Sequence, residues 1–178
     1  MTTLKYLKTA LLATVVLFSA CSKDDDNNPN DPNNPSELAI GTIRAKIDGT
    51  LKTATNYVKA DINNSVHMVQ ISGTGGPNTN ILQFNLGIGD FTGVGTYKLG
   101  IHDSYGLGVN AIYQEVSLGG YACRADYPET TGTVVVTEYT ASKSIKGTFH
   151  FKGKKQGTSG NGGDYIEVTE GEFYISLR

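Results

Sequence analysis

Apolar and polar residues alternate in short runs along residues 38–178, and no window shows the apolar spacing of an amphipathic helix. The clearest runs are Thr42 to Asp48, Ile81 to Ile88 and Ile145 to Lys152, in which every second side chain points to one face. Clusters of Gly, Asn and Asp separate the runs, as is typical of turns. The pattern predicts a single all-β domain without a helix, either an antiparallel β-sandwich or, alternatively, a small β-barrel.

Turn signals divide two stretches of this domain into separate short strands. Residues 51–54 and 57–61 are predicted as two strands. Near the C-terminus, Glu170-Gly171 is predicted as a turn between strands at residues 165–169 and 172–177. The sequence therefore predicts many short strands rather than a few long ones.

Charge is distributed unevenly over the last third of the chain. Lys143 to Lys155 contains five lysines and no acid, whereas Asp164 to Glu172 contains four acids and no base. One interpretation is a basic patch for phosphate or lipid A. The simpler one is that neighbouring antiparallel strands pair Lys with Glu across the sheet. It predicts that Glu167 lies beside a lysine or His150.

The first 20 residues have the organisation of a secretory signal peptide. Lys5 and Lys8 supply the positive region, residues 10–18 form an apolar run interrupted only by Thr14, and Ser19-Ala20 are the small residues before a cleavage site. The run is roughly half of the 20 or so apolar residues that a transmembrane helix needs. A cleaved signal is therefore predicted rather than a membrane span.

The residues around Cys21 resemble two signals of bacterial lipoproteins. Phe18-Ser19-Ala20-Cys21 is similar to the lipobox, in which the Cys is diacylated and becomes the new N-terminus, although Leu is more usual than Phe18 at that position. Ser22, Lys23, Asp24, Asp25 and Asp26 resemble the lipoprotein export signal of Bacteroidota. The resemblance implies a lipid anchor at Cys21 in the outer membrane, with the domain facing the cell exterior or, alternatively, the periplasm.

Residues 21–37 are predicted to be a disordered acidic tether that follows the lipidated Cys. From Ser22 to Glu37 the only apolar side chains are three prolines, so this segment cannot bury enough surface to fold. Outside residues 1–37 the chain carries 12 Lys plus Arg and 12 Asp plus Glu. A formally neutral domain lacks the basic surface of nucleic-acid-binding proteins, so no nucleic-acid partner is expected.

Several short motifs of the domain resemble a lipoprotein family of Bacteroidota whose function is unknown. They are Ile47-Asp48-Gly49, Gly95-Thr96-Tyr97 and the spacing of residues 144–149 and 168–173. The resemblance covers most of residues 40–178 and implies a small β-domain on a lipid anchor. It implies no catalytic residues and no cofactor.

Tyr105, Tyr113 and Tyr121 are the candidate ligand-binding residues. They lie in a Gly-rich stretch of irregular pattern, and aromatic rings on such loops can offer flat faces to a glycan or a peptide. This predicts a non-catalytic binding module with at least two of the three rings exposed on one side. The alternative is that these rings close the ends of the core.

Two other functions remain open from the sequence. An accessory subunit of an outer-membrane protein complex would show a contiguous exposed apolar patch. A hydrolase would need Cys123 or His102 in a polar pocket with a base in reach. The three histidines are widely spaced and no calcium-loop or zinc motif is present, so no metal site and no catalytic residue is predicted.

Overall fold

The computed structural model describes residues 38–127, 129–157 and 164–177, so the predicted signal peptide, lipidation site, export signal and tether lie outside the described residues. Within these ranges there are twelve β-strands and no helix, and therefore no helix that could span a bilayer. The strands are β1 (Thr42–Ile47), β2 (Thr50–Asn63), β3 (Met68–Gly75), β4 (Leu82–Ile88), β5 (Gly95–Leu99), β6 (Ile101–His102), β7 (Gly108–Val109), β8 (Ala111–Glu115), β9 (Gly119–Cys123), β10 (Thr131–Thr140), β11 (Ser144–Lys155) and β12 (Tyr165–Ser176).

Eight of these strands form a closed antiparallel barrel. Neighbouring strands pair in the order β1, β2, β3, β4, β8, β9, β11 and β12, and β12 pairs again with β1. One edge of β11 pairs with β12, and its other edge is divided between β10 and the end of β9. β5 pairs with β10, and β6 and β7 form a separate hairpin. Of the two architectures left open by the sequence, the barrel is confirmed.

The barrel interior is filled by the alternating apolar side chains that the sequence predicts to face inward. Phe149 lies at its centre, with its ring centroid 6.0 Å from that of Phe84, 6.4 Å from Phe173 and 6.5 Å from Phe151. A Cβ atom at Gly171 would lie 2.5 Å from the carbonyl oxygen of Phe149, so this position requires glycine. Burial of these rings contributes to the stability of the barrel.

Two of the predicted turns are bulges within continuous strands. β2 is uninterrupted, and its register with β3 shifts on both sides of Asn56, next to Tyr57 at φ 52°. β12 is also uninterrupted, with Glu170 at φ 49° where its register with β11 shifts. A bulge bends and twists the strand that carries it, and a closed barrel needs strands that bend. The prediction of separate short strands at these positions is therefore wrong.

The acidic residues of β12 pair with cations on neighbouring strands. Glu167 lies directly opposite Lys152 in the register of β11 and β12, as predicted. On the other side of β12, Glu172 lies 2.6 Å from Arg44, and Glu170 lies 2.7 Å from Lys46. Exposed pairs of this kind contribute about 0–1 kcal/mol each. Cross-strand neighbours therefore place a cation beside each glutamate of β12, one from the lysine-rich run of β11 and two from β1.

The barrel has two ends that carry different loops. We call the end where β1 begins the near end and the end where β1 turns into β2, at Asp48-Gly49, the far end. Because the strands of the ring are antiparallel, the β2–β3 turn and the segment after β4 lie at the near end. The β3–β4 loop and the β8–β9 turn lie at the far end. Each end holds one group of polar side chains.

Candidate functional site

The structure separates the three tyrosines predicted to bind a ligand. In β8 the side chain of Tyr113 faces the core and is fully buried, because it alternates with Ile112 and Gln114. Tyr121 lies opposite Tyr113 in β9 and is therefore on the same buried face. The predicted platform of exposed rings is wrong for these two residues, which belong to the barrel core. Tyr105 is different, because 51% of its surface is exposed.

Tyr105 lies at the tip of the β6–β7 hairpin, whose turn is held by one aspartate. The Asp103 carboxylate accepts hydrogen bonds from the backbone N–H groups of Tyr105 at 3.0 Å and Leu107 at 2.7 Å. The backbone of the same aspartate accepts a bond from Gly106 and donates one to Leu107. Four hydrogen bonds to one residue fix the turn, so the tyrosine is presented from a well-ordered hairpin.

The ring of His67 lies beside that of Tyr105. The two rings are stacked, with centroids 6.0 Å apart and an angle of 25° between their planes. His67 is exposed in the β2–β3 turn at φ 46°, and its carbonyl oxygen accepts a hydrogen bond from the N–H group of Phe91. We call His67 and Tyr105 the aromatic pair. Both residues are exposed at the near end of the barrel.

Two polar residues, one on the hairpin and one in the segment after β4, are joined by hydrogen bonds near the aromatic pair. The carboxylate of Asp90, an exposed residue after β4, accepts hydrogen bonds from the backbone N–H of Ser104 at 3.1 Å and from its hydroxyl group. Ser104 is the residue before Tyr105. An exposed ring face next to a hydroxyl and a carboxylate is an arrangement suited to sugars, which offer an apolar ring face and hydroxyl groups.

The far end of the barrel holds a second polar group, which the sequence reasoning missed. The carboxylate of Glu115 is 3% exposed and faces inward at the end of β8. It accepts hydrogen bonds from Lys52 at 2.9 Å, Asn80 at 2.5 Å, Ser117 at 3.3 Å and the hydroxyl group of Tyr113. We call these five residues the Glu115 cluster. The sequence does contain a sign of this cluster, because Glu115 is an acidic residue at an inward-facing position of the alternating run that forms β8.

The surroundings of Glu115 favour its charged form. Burial would raise the pKa of this carboxyl, but the hydrogen bonds from Tyr113, Lys52 and Asn80 outweigh burial and hold the pKa below its usual range. Burial and the neighbouring carboxylate raise the pKa of the Tyr113 phenol well above its ordinary value. In this arrangement Glu115 is therefore a carboxylate next to a neutral phenol.

The Glu115 cluster predicts a pH dependence of stability. Because the pKa of Glu115 is lower in the folded than in the unfolded chain, its contribution is complete above the ordinary value of 4.5 and is lost as the pH falls through the folded pKa. The urea midpoint of the wild type should therefore fall more steeply below about pH 4.5 than that of Glu115→Gln. Glu138→Gln, which removes an exposed carboxylate, is the control for net charge. Parallel pH profiles of wild type and Glu115→Gln would contradict the assignment.

Cys123 has the properties of a core residue. It is fully buried at the end of β9, and burial raises the pKa of its thiol to about 11, with a partial offset from a hydrogen bond to Thr130. A thiol with such a pKa is protonated at neutral pH and is a poor nucleophile. His102 and His150 are both exposed, in β6 and β11. In the described ranges, no group of three or more His, Cys, Asp or Glu residues is placed to hold a metal ion.

Tyr57 is an exposed ring that the sequence reasoning did not single out. It is 88% exposed in the bulge of β2. A bulky residue at positive φ is uncommon, but the conformation follows here from the bulge that bends the strand. Tyr57 is on the wall of the barrel, away from the aromatic pair at its near end, and so provides a matched control for Tyr105.

Comparison with known proteins identifies the domain but brings no function. No curated protein and no solved structure matches the chain. The model of a family described as a domain of unknown function, DUF6252, matches residues 40–175. This range runs from just before β1 almost to the end of β12, so it covers nearly the whole barrel. The chain therefore belongs to the DUF6252 family of domains of unknown function.

Proposed function

We propose that this protein is an outer-membrane lipoprotein whose barrel faces the cell exterior and binds a glycan without catalysis. The anchor rests on the lipobox resemblance at Cys21, and the outward orientation rests on the export-like residues 22–26. Two acyl chains on one Cys give stable membrane attachment without help from the protein surface. The barrel then needs no membrane-binding face of its own, and its loops are available to a ligand.

The observation that carries glycan binding is the half-exposed ring of Tyr105 stacked on His67. A solvent-exposed apolar ring that is held in place loses little conformational entropy when a ligand stacks on it. Asp90 and Ser104 supply an acceptor and a hydroxyl group next to the ring. A sugar uses both features at once, through its C–H face and its hydroxyl groups.

Replacing Tyr105 tests this proposal. Tyr105→Ala should weaken glycan binding at least tenfold, or about 1.4 kcal/mol, since it removes the larger ring of the aromatic pair. Tyr105→Phe keeps the ring and should retain most of the affinity. The measurement is affinity electrophoresis of the full chain in gels that contain different polysaccharides. Tyr57→Ala, which removes a more exposed ring elsewhere, is the control.

Two results would contradict the glycan proposal. One is that Tyr105→Ala and the wild type are retarded equally by every polysaccharide that slows the protein. The other is that Tyr57→Ala loses binding while Tyr105→Ala keeps it, which would move the site to the bulge of β2. Binding of a peptide instead of a polysaccharide, with the same dependence on Tyr105, would keep the site and change the ligand class.

A second candidate is an accessory subunit of an outer-membrane protein complex. It is supported by three exposed apolar side chains at the far end: Ile81 in the β3–β4 loop, and Val116 and Leu118 in the β8–β9 turn. The two segments are in contact, since the N–H group of Val116 donates to the carbonyl oxygen of Ile81. This function would use the far end and would leave the face of Tyr105 without a ligand.

A further inference from the structure

We propose that the Glu115 cluster forms an intramolecular isopeptide bond between the side chains of Lys52 and Asn80. The bond would join the start of β2 to the β3–β4 loop at the far end of the barrel. It is independent of the proposed glycan site at the near end. It would make the protein a self-crosslinking surface domain, with Glu115 as the residue that moves the proton.

The fold brings these three residues together from distant parts of the chain. Lys52 lies opposite Ala45 in the pairing of β1 and β2, and Ala45 is fully buried, so Lys52 points to the inner face. Glu115 lies opposite Leu82, and Asn80 precedes Leu82 by two residues. The barrel register thus directs an amine, a carboxylate and a carboxamide to one place.

The geometry places the amine beside the carboxamide that it would attack. Oε1 of Glu115 accepts hydrogen bonds from both Nζ of Lys52, at 2.9 Å, and Nδ2 of Asn80, at 2.5 Å. Two nitrogen atoms that share one acceptor are separated by no more than the sum of these two distances. Holding the reactants in this way can lower a barrier by several kcal/mol, because the encounter no longer has to be made by diffusion.

The carbonyl oxygen of Asn80 also has a hydrogen-bond donor. Its Oδ1 atom accepts a bond from the backbone N–H of Ser117 at 3.0 Å. Attack on the side-chain carbon of Asn80 moves negative charge onto this oxygen, and a fixed backbone N–H stabilises such a charge. The three parts that amide exchange needs are therefore present: a nucleophile, a proton carrier and a donor to the oxyanion.

The reaction balances without any further reagent. Lys52 gives a proton to Glu115, and the freed amine attacks the side-chain carbonyl carbon of Asn80, which forms the Nζ–Cγ bond. Glu115 takes a second proton from the attacking nitrogen as it delivers the first to Nδ2. The Cγ–Nδ2 bond then breaks, ammonia leaves, and it carries away the remaining proton as ammonium. No atom is oxidised or reduced, and the chain loses one molecule of ammonia.

The partners of Lys52 distinguish it from an exposed lysine such as Lys59. The side chain of Lys52 is 25% exposed and shares its carboxylate acceptor with the carboxamide of Asn80, whereas the side chain of Lys59 is 62% exposed beside Asp61. The phenol of Tyr113 closes the inner side of the cluster and keeps the carboxylate in position.

Tryptic digestion of the full chain, followed by mass spectrometry, tests the bond directly. Trypsin does not cleave after an acylated lysine, so cleavage after Lys46, Lys59 and Lys98 should give residues 47–59 joined to residues 60–98. The joined peptide should be lighter than the sum of its two parts by one molecule of ammonia. Lys59→Arg preserves the cleavage sites and should give the same joined peptide.

Two variants separate the roles within the cluster. Lys52→Arg removes the nucleophile, and Glu115→Gln removes the proton carrier but keeps its shape, so neither should give the joined peptide. Recovery of free peptide 47–52 and unmodified peptide 60–98 from the wild type would overturn the proposal. Formation of the bond in Glu115→Gln to the same extent as in the wild type would overturn the role of Glu115.

Discussion

Replacing Phe149 with alanine is expected to destabilise the barrel by about 3–5 kcal/mol, because it removes a ring at the centre of the core. The ring packs against those of Phe84 in β4, Phe151 in β11 and Phe173 in β12. A loss of this size is a large share of the 5–15 kcal/mol that stabilises a typical domain. Urea unfolding of the purified domain, followed by circular dichroism, measures it.

Val116→Ala is the control for this measurement. Val116 is 70% exposed in the β8–β9 turn, so its truncation should change the free energy of unfolding by no more than about 0.5 kcal/mol. If Phe149→Ala were as stable as Val116→Ala, the placement of the Phe149 ring at the centre of the barrel core would be wrong. Phe149→Leu should lie between the two, since it leaves a smaller cavity.

Replacing Cys21 with serine is expected to release the protein from the membrane. Serine has no thiol to carry the acyl chains, and without them the chain keeps no strong attraction to a bilayer. The variant should move almost completely from the membrane fraction to the soluble fraction when cells are lysed and centrifuged. Retention of Cys21→Ser in the membrane fraction would contradict lipidation at this residue.

The acidic residues after Cys21 allow a matched control. Replacing Asp24, Asp25 and Asp26 together with asparagine leaves Cys21 and the residues before it unchanged, so the variant should remain in the membrane fraction. It should, however, lose its sensitivity to protease added to intact cells, if these residues direct export to the cell exterior. Equal protease sensitivity of the wild type and this variant would contradict the export signal.

Local alternation predicted the inward faces of the clearest runs, but it did not predict β6, β7 or β9. Ile43, Phe84 and Phe149 are all fully or almost fully buried, as the sequence indicates. The alternation could not distinguish a turn from a bulge, because both place Gly or a polar residue where the pattern breaks. Tyr57 and Glu170 are examples, since each bends a continuous strand. Closure of the barrel depends on these bends and on long-range pairing.

The candidate sites were harder to predict than the strands. Tyr105, Tyr113 and Tyr121 all lie in a Gly-rich stretch, so the sequence does not separate them. A ring can bind a ligand only if it is exposed, and exposure depends on the fold. The Glu115 cluster joins β2, the β3–β4 loop and β8, and nothing in the local sequence links those segments. Contacts of this kind are set by the register of the closed barrel.

Comparison of the wild type with Tyr105→Ala on a glycan array tests the central claim most directly. The proposal predicts that the wild type binds a defined group of glycans, that Tyr105→Phe binds the same group, and that Tyr105→Ala loses it. Absence of any glycan bound by the wild type, or an unchanged binding profile for Tyr105→Ala, would contradict the claim that this ring is the binding surface.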